Sequence, residues 1–471
     1  MGAQAALSEK DKKFRDFSLN APMWKVVLHV GTPLALYQSL TQLFKILDSM
    51  MASHISASAV STISYLSQLE LTLSALGGGL AIGASIKVSE AYGAGDFELV
   101  KKRVSSLFAL CAIVAAVLLG VLFPFAPQFL RFAGTPEEFL ADGISYFRLD
   151  LIGLAIIFFN NVYIAIERAR GNSKRILRLN MIVIGVKLSL TALFVYALQM
   201  GMNMIAVATI LSQGVMLACA VFYMHQPGNA FGFSFSSISL TRNVVRPMLI
   251  LSGPVVVEKA AFSLGKVFVN SMSTMYGALT VGALGISNNI GGISTTPQTG
   301  FQDGSSALIS QNLGAGRPER ALQAFAWTVI VNMVVSSILM TLNIIFLDQI
   351  TWLFAGNDRS FQQTIISIYR YEALGAVPLG INSSVLALLY GFGRTKITLF
   401  INFCRVFIFR VPVLWALQQF TDLGSESVGI VMAVSNISVG ILACIIGTIE
   451  IRKICQEYNL SFVRMLRLKQ A

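Results

Sequence analysis

"YGAGDFE" at residues 92–98 returns as "LGAGRPE" at residues 313–319, once in each half of a 471-residue chain. Setting Gly93 against Gly314 gives an offset of 314 − 93 = 221, which also pairs Pro33 with Pro254, Lys45 with Lys266, Gly83 with Gly304, Ser89 with Ser310 and Glu98 with Glu319. One residue more, 222, pairs "FAG" at 132–134 with "FAG" at 354–356, Arg148 with Arg370, Asp150 with Glu372, Asn160 with Asn382, Gly171 with Gly393 and Asn180 with Asn402. The sequence is a tandem duplication. Each glycine phrase reads as a helix end and tight turn, where glycine tolerates positive φ. A phosphate loop is excluded, because there is no GxxxxGK[ST] pattern and no strand precedes.

The repeated unit is apolar. Hydrophobic residues make up 55% of the chain and charged residues 12%, with mean hydropathy +0.69, whereas soluble domains carry about 25% charged residues. Apolar runs of roughly 20 residues recur, the length that crosses about 30 Å of hydrocarbon as a helix. Stretches such as "LCAIVAAVLLGVLFPFAP" at 110–127 lack the alternation of barrel strands. The expected fold is an all-α membrane protein with twelve transmembrane helices in two homologous six-helix lobes. The spans are 25–50, 58–86, 104–130, 144–166, 176–199 and 203–225 in a first lobe (25–225), then 246–272, 278–302, 322–348, 362–388, 398–419 and 428–451 in a second (246–451). A tail at 1–24, a linker at 226–245 and a tail at 452–471 complete the chain. Six spans is an even number, so both lobes insert the same way round, related by a pseudo-twofold axis along the membrane normal.

Loop cations fall on alternate connections: Lys101, Lys102 and Arg103, then Arg168, Arg170, Lys174, Arg175 and Arg178, then Arg242 and Arg246, Arg317 and Arg320, and Arg394 and Lys396. The opposite loops offer only Arg131 and Arg359. Both termini are therefore expected to be cytoplasmic, in a multi-pass plasma membrane protein. The same distribution accounts for the net charge of +12 without a nucleic-acid partner. The polar start has no apolar core for a cleaved signal, and Ala6 stands where a myristoylation signal wants Ser or Thr. Five cysteines without metal spacing read as packing residues. With His29, His54 and His225 as its only histidines, and no HExxH or GxSxG, the chain is not read as an enzyme. The expected partners are membrane lipids and a small-molecule substrate; no cofactor or metal is called for, and the chain is read as a monomer.

"GTPLALYQSLTQLFKILDSMMASHISASAVS" at 31–61, "GGGLAIGASIKVSEAYGAGDFELVKKRV" at 77–104 and "GSSALISQNLGAGRPERAL" at 304–322 resemble the multidrug and toxic compound extrusion (MATE) family of secondary transporters. The resemblance implies two lobes in a V, open alternately to either side, that export amphipathic cations in exchange for Na⁺ or H⁺. It makes Pro33 the span-one proline, with Pro254 its repeat partner, and Asp48 the span-one acid. Proline removes a backbone hydrogen bond, so both are candidate hinges, although such kinks are often static. Asp48 is implied as a titrating or cation-binding carboxylate, whose charge in a low-dielectric cavity needs a proton, cation or basic side chain; the alternative is a solvated acid at the outer interface.

Span five departs from the family pattern, with Lys187 and Thr191 where many members place Asn and an acid or amide. Lys187 lies about 16 Å into the span, where an unpaired ammonium costs about 2.5–3.5 kcal/mol. Lys187 is expected to approach Asp48 in place of a bound cation, with Lys45 one turn before Asp48 joining it; the alternative is a static salt bridge serving registry. In span seven Glu258 and Lys266 share a helix face that Lys259 does not, and Leu379 stands in span ten where some members carry an acid. Glu70, Gln68, Asn160, Glu258, Lys266 and Arg405 are candidate substrate-cavity residues. Arg405 and Arg410 await either an anionic substrate or an acid such as Glu258. Asp150 and Glu372 read as local ion pairs with Arg148 and Arg370. The 17 Met and 32 Phe suit an adaptable drug surface or ordinary packing. The rival reading is a lipid-linked oligosaccharide flippase of the same superfamily, whose pyrophosphate would suit Lys45, Lys187, Lys266 and Arg405.

Overall fold

The two glycine phrases make one turn twice. In the computed structural model, which describes residues 7–52, 57–133, 135, 137–226, 229–356 and 358–460 (without side chains at 45–52, 57–61, 64, 138 and 278), Gly95 has φ +82° and Gly316 φ +71°. The Asp96 N–H returns to the Ala91 carbonyl at 3.1 Å, and the Arg317 N–H to that of Asn312 at 2.8 Å. Each closes the last turn of a helix, as a glycine C-cap requires. Gly171 and Gly393 repeat the device at φ +77° and +71°.

Helices between these turns account for the regular structure of the described residues: α1 Glu9–Asn20, α2 Met23–Ala52, α3 Ala57–Ala94, α4 Phe97–Leu122, α5 Ala126–Phe132, α6 Glu137–Ala169, α7 Ser173–Ala192, α8 Asn203–Met224, α9 Arg242–Ser273, α10 Ala278–Gly314, α11 Pro318–Ile345, α12 Leu347–Ala355, α13 Arg359–Ala373, α14 Ala376–Gly391, α15 Thr395–Phe407, α16 Val411–Phe420 and α17 Glu426–Glu457. Nine spans among them, one of which is α15 and α16 together, are long and apolar enough to cross a membrane, or ten if the α13–α14 pair, bent by 48°, counts as one. The remaining two expected spans are α2 and α10, long at 30 and 37 residues but interrupted by polar side chains. Large apolar residues such as Val117, Phe222 and Leu353 stay exposed, as lipid-facing surface does.

Five of the expected spans are not single α-helices, span nine among them, which stops at Ile345 and resumes at Leu347. Span three stops at Leu122 and resumes at Ala126, because Pro124 and Pro127 cannot continue the ladder. Span five ends in a π-turn at Leu193–Ala197. Span ten bends at Leu374 and Gly375 between α13 and α14, and span eleven breaks at Ile408–Arg410 ahead of Pro412. Pro33 and Pro254, by contrast, lie inside continuous helices.

The contacts divide the chain into two compact units. The first takes the residues up to Arg15 with Leu43–Ala260, and the second Asp16–Gln42 with everything from Ala261 onward. Within the first, a Cβ on Gly79 would lie 2.6 Å from the Val256 Cα, and one on Gly83 2.3 Å from that of Ser252. Within the second, a Cβ on Gly300 would lie 2.4 Å from the Ala35 nitrogen. Since 300 − 79 and 256 − 35 both equal 221, this is one helix crossing made twice. Glycine lets the backbones touch there.

Helix α1 is held to the first unit by a buried ionic network. Arg170 donates twice to Asp11, Nη2 to Oδ2 at 2.7 Å and Nε to Oδ1 at 3.1 Å, and its Nη1 reaches Glu167 Oε1 at 3.1 Å. Glu167 also receives Asn172 Nδ2 at 2.7 Å and Arg175 Nη1 at 3.3 Å. The Tyr92 hydroxyl donates to the Asp11 carbonyl at 2.8 Å. Burial opposes the Arg170 charge, yet Glu167 and Asp11 outweigh it and raise the guanidinium pKa. Gly171 is a glycine by necessity, since a Cβ would meet the Phe14 ring at 1.9 Å.

Candidate functional site

Each unit holds a polar centre among apolar helices, and the two are built around repeat-related acids. In the first, Asp150 on α6, only 9% exposed, interacts electrostatically with Glu70 on α3 and with Lys187 on α7. Among the described residues two carboxylates and one ammonium thus interact here. The expected pairing of Asp150 with Arg148 is corrected: residues two apart point about 200° from each other on a helix, and Arg148 Nε donates to the Phe123 carbonyl at 3.2 Å. Of the other candidates, Gln68 is half-buried on α3. Asn160 donates to Gln213 Oε1 at 2.8 Å, joining α6 to α8. Thr191 is fully buried. Glu258 is buried in this unit and Lys266 belongs to the other. Asp48 and Lys45, placed on α2, lie outside the described side chains, as does the expected approach of Lys187 to Asp48.

In the second unit Glu372, in the last turn of α13, accepts a hydrogen bond from the Ser287 hydroxyl at 2.5 Å. It interacts electrostatically with Arg410, Arg405 and Lys266, so the expected local pairing with Arg370, again two residues away, is corrected for the same reason. Arg405 Nη2 and Arg410 Nη2 donate to the same oxygen, Asn436 Oδ1, at 2.9 and 3.2 Å, and Arg410 Nε reaches Ser435 Oγ at 3.1 Å. Five residues apart on an unbroken helix, the two arginines would diverge by about 140°. The break before Pro412 lets them converge. Phe262 lies beneath both Arg405 Cζ, 5.1 Å from its ring centroid, and Lys266 Nζ, at 5.2 Å. Sequence reasoning missed Phe262, Ser287 and Asn436; Phe262 had a signal, four residues before Lys266 on one helix face. Leu379 is buried in α14.

The family model MatE matches residues 33–193 and 254–416, two stretches whose starts differ by the repeat offset, 254 − 33 = 221. The chain belongs to the MATE family. This MATE protein is 21% identical over 413 residues to the probable multidrug resistance protein YoeA of Bacillus subtilis, across 85% of its own length and 88% of the relative's. It is 22% identical over 437 residues to a FAD transporter of Shewanella oneidensis, across 92% and 96%. It shares the fold of a MATE protein crystallised in complex with MaL6, with TM-score 0.89 and 20% identity over 93% of this chain and 99% of that one. The MATE chain is thus a many-span multidrug-type transporter whose relatives are transporters, not enzymes. These likenesses do not favour the flippase reading.

Proposed function

We propose that this MATE transporter works by alternating access and exports amphipathic small molecules in exchange for protons, with Asp150 and Glu70 as the proton-carrying pair and Lys187 as their fixed counter-charge. The carrying observation is that Asp150, buried among apolar helices, interacts electrostatically with both Glu70 and Lys187. One ammonium compensates one carboxylate, and the second negative charge calls for a further cation in surroundings of low dielectric. A proton meets that need by bonding to an oxygen, whereas Na⁺ would stand beside Lys187 and be repelled by it. Substrate and proton then compete for the same carboxylate pair. Exchange follows if each reorients the carrier only when the other has left.

The test uses the purified chain in vesicles, with a pH gradient or a Na⁺ gradient imposed singly and both a cationic and an anionic fluorescent probe offered. The pH gradient alone should drive accumulation of at least one probe. Asp150→Asn should abolish that accumulation while downhill exchange continues. Accumulation driven by Na⁺ alone, or undiminished pH-driven accumulation in Asp150→Asn, would refute the proposal.

A further inference from the structure

The geometry points to an oxyanion-binding site in the second unit, formed by Arg405, Arg410 and Lys266 beside Phe262, that takes the phosphate or carboxylate group of an amphipathic molecule. This rests on the transporter reading above and names a substrate class for it, departing from the cationic substrates that the family resemblance implies.

Charge is the first support. Among the described residues Glu372 is the one acid whose field reaches Arg405 and Arg410, so these two guanidiniums leave an excess of one positive charge when Glu372 is ionised, and of two when it is protonated. Among the described residues neither guanidinium has a carboxylate within ion-pairing distance; their hydrogen bonds go to the neutral Asn436 and Ser435 oxygens. Phe262 holds Arg405 at cation–π distance, which positions a guanidinium without neutralising it, and lies 5.2 Å from Lys266 Nζ.

An unspent donor is the second support. Arg405 Nε is buried without a hydrogen-bond partner among the described residues, and a buried donor of this kind calls for an acceptor. A phosphate or carboxylate is the acceptor a guanidinium fits best, through paired N–H groups. The third support comes from the duplication. At the 222-residue offset Arg405 corresponds to Val183 (405 − 222) and Arg410 to Leu188 (410 − 222). The helix that carries the two arginines does not need them in order to fold, since its copy does without.

Binding to the purified protein, without any gradient, tests the site separately from proton coupling. Riboflavin 5′-phosphate and riboflavin differ by one phosphate and are titrated calorimetrically at roughly 0.15 M salt, where exposed charges are largely screened. The phosphorylated flavin should bind at least about 10-fold tighter, and Arg405→Gln should weaken it by about 10- to 100-fold, the range for hydrogen bonds to charged groups. Riboflavin affinity should be unchanged in that variant. Lys266→Gln, free of the buried Asn436 bond, serves if Arg405→Gln does not fold and should reduce the same preference. Equal affinity for the two flavins, no binding of the phosphate up to about 1 mM, or a preference that survives in the folded variant overturns the site. None of these results bears on the Asp150 assay.

Discussion

Replacing Arg170 by methionine keeps an apolar stem and removes the guanidinium from the network that holds α1. The side chains of Arg170, Asp11 and Glu167 are 7%, 5% and 0% exposed, so water cannot take the place of the guanidinium. Asp11 would retain Ser8 Oγ at 2.6 Å, and Glu167 would retain Asn172 and Arg175, but Asp11 would lose both of its charge-assisted bonds. Breaking a buried pair on one side costs about 3–5 kcal/mol. For a unit of this size that corresponds to a fall in melting midpoint of roughly 6–20 °C, measured by fluorescence-detected size exclusion after heating in detergent. Asp11→Asn together with Arg170→Met should lose less than the sum of the single losses by about 1–3 kcal/mol, because neither change then strands a charge. The Tyr92 bond runs to the Asp11 backbone and survives in all three variants. A midpoint within about 2 °C of the parent for Arg170→Met, or additive losses in the double variant, would show that the network contributes nothing to stability.

The helix crossings predict a sharp asymmetry among glycines. Gly83→Val and Gly300→Val, each facing backbone closer than 3 Å, should abolish folded yield, whereas Gly120→Ala and Gly185→Ala, with nothing within 4 Å, should leave the melting midpoint unchanged or raised; normal yield of either valine variant would contradict the crossing. Lys10 supplies a pH dependence. Burial first, and then Arg175, lower its pKa below the ordinary 10.5, so between the folded value and 10.5 the unfolded chain binds the extra proton and stability rises with pH through that window. Lys10→Met should flatten the rise in melts from neutral pH upward, and an unchanged slope would contradict the assignment.

What the sequence made legible was whatever chain-local chemistry decides. The turns at Gly95 and Gly316 follow from glycine alone, and the number of spans follows from the length of apolar runs. The breaks at Pro124 and Pro412 were equally visible in principle, but hydropathy averages over a broken helix as readily as over a whole one. Rotation about each helix axis was not legible. A helix that is apolar all round offers no periodic stripe to say which way it faces, so the convergence of Glu70, Asp150 and Lys187 from three helices had no local signature. Asp150 interacts with groups distant in sequence, Glu70 and Lys187, and not with the nearby Arg148. The same limit hid the division of α2 and α9 between the compact units, which depends on where glycines meet distant backbone.

The duplication makes the difference between the two polar centres informative. Glu70 corresponds at the 221-residue offset to Gly291 (70 + 221), and Asp150 at 222 to Glu372. In the second unit a Cβ on Gly291 would stand 2.9 Å from Glu372 Oε1, so the longer acid fills the space where the first unit keeps a second carboxylate. The exchange of Asp and Glu for Glu and Gly removes one acid, and the arginines in place of Val183 and Leu188 add two cations. Among the described residues one scaffold therefore carries acid excess in its first copy and cation excess in its second. The proton-carrying site and the oxyanion site proposed above would have opposite charge requirements, and a duplicated scaffold offers two frames in which each could be met separately.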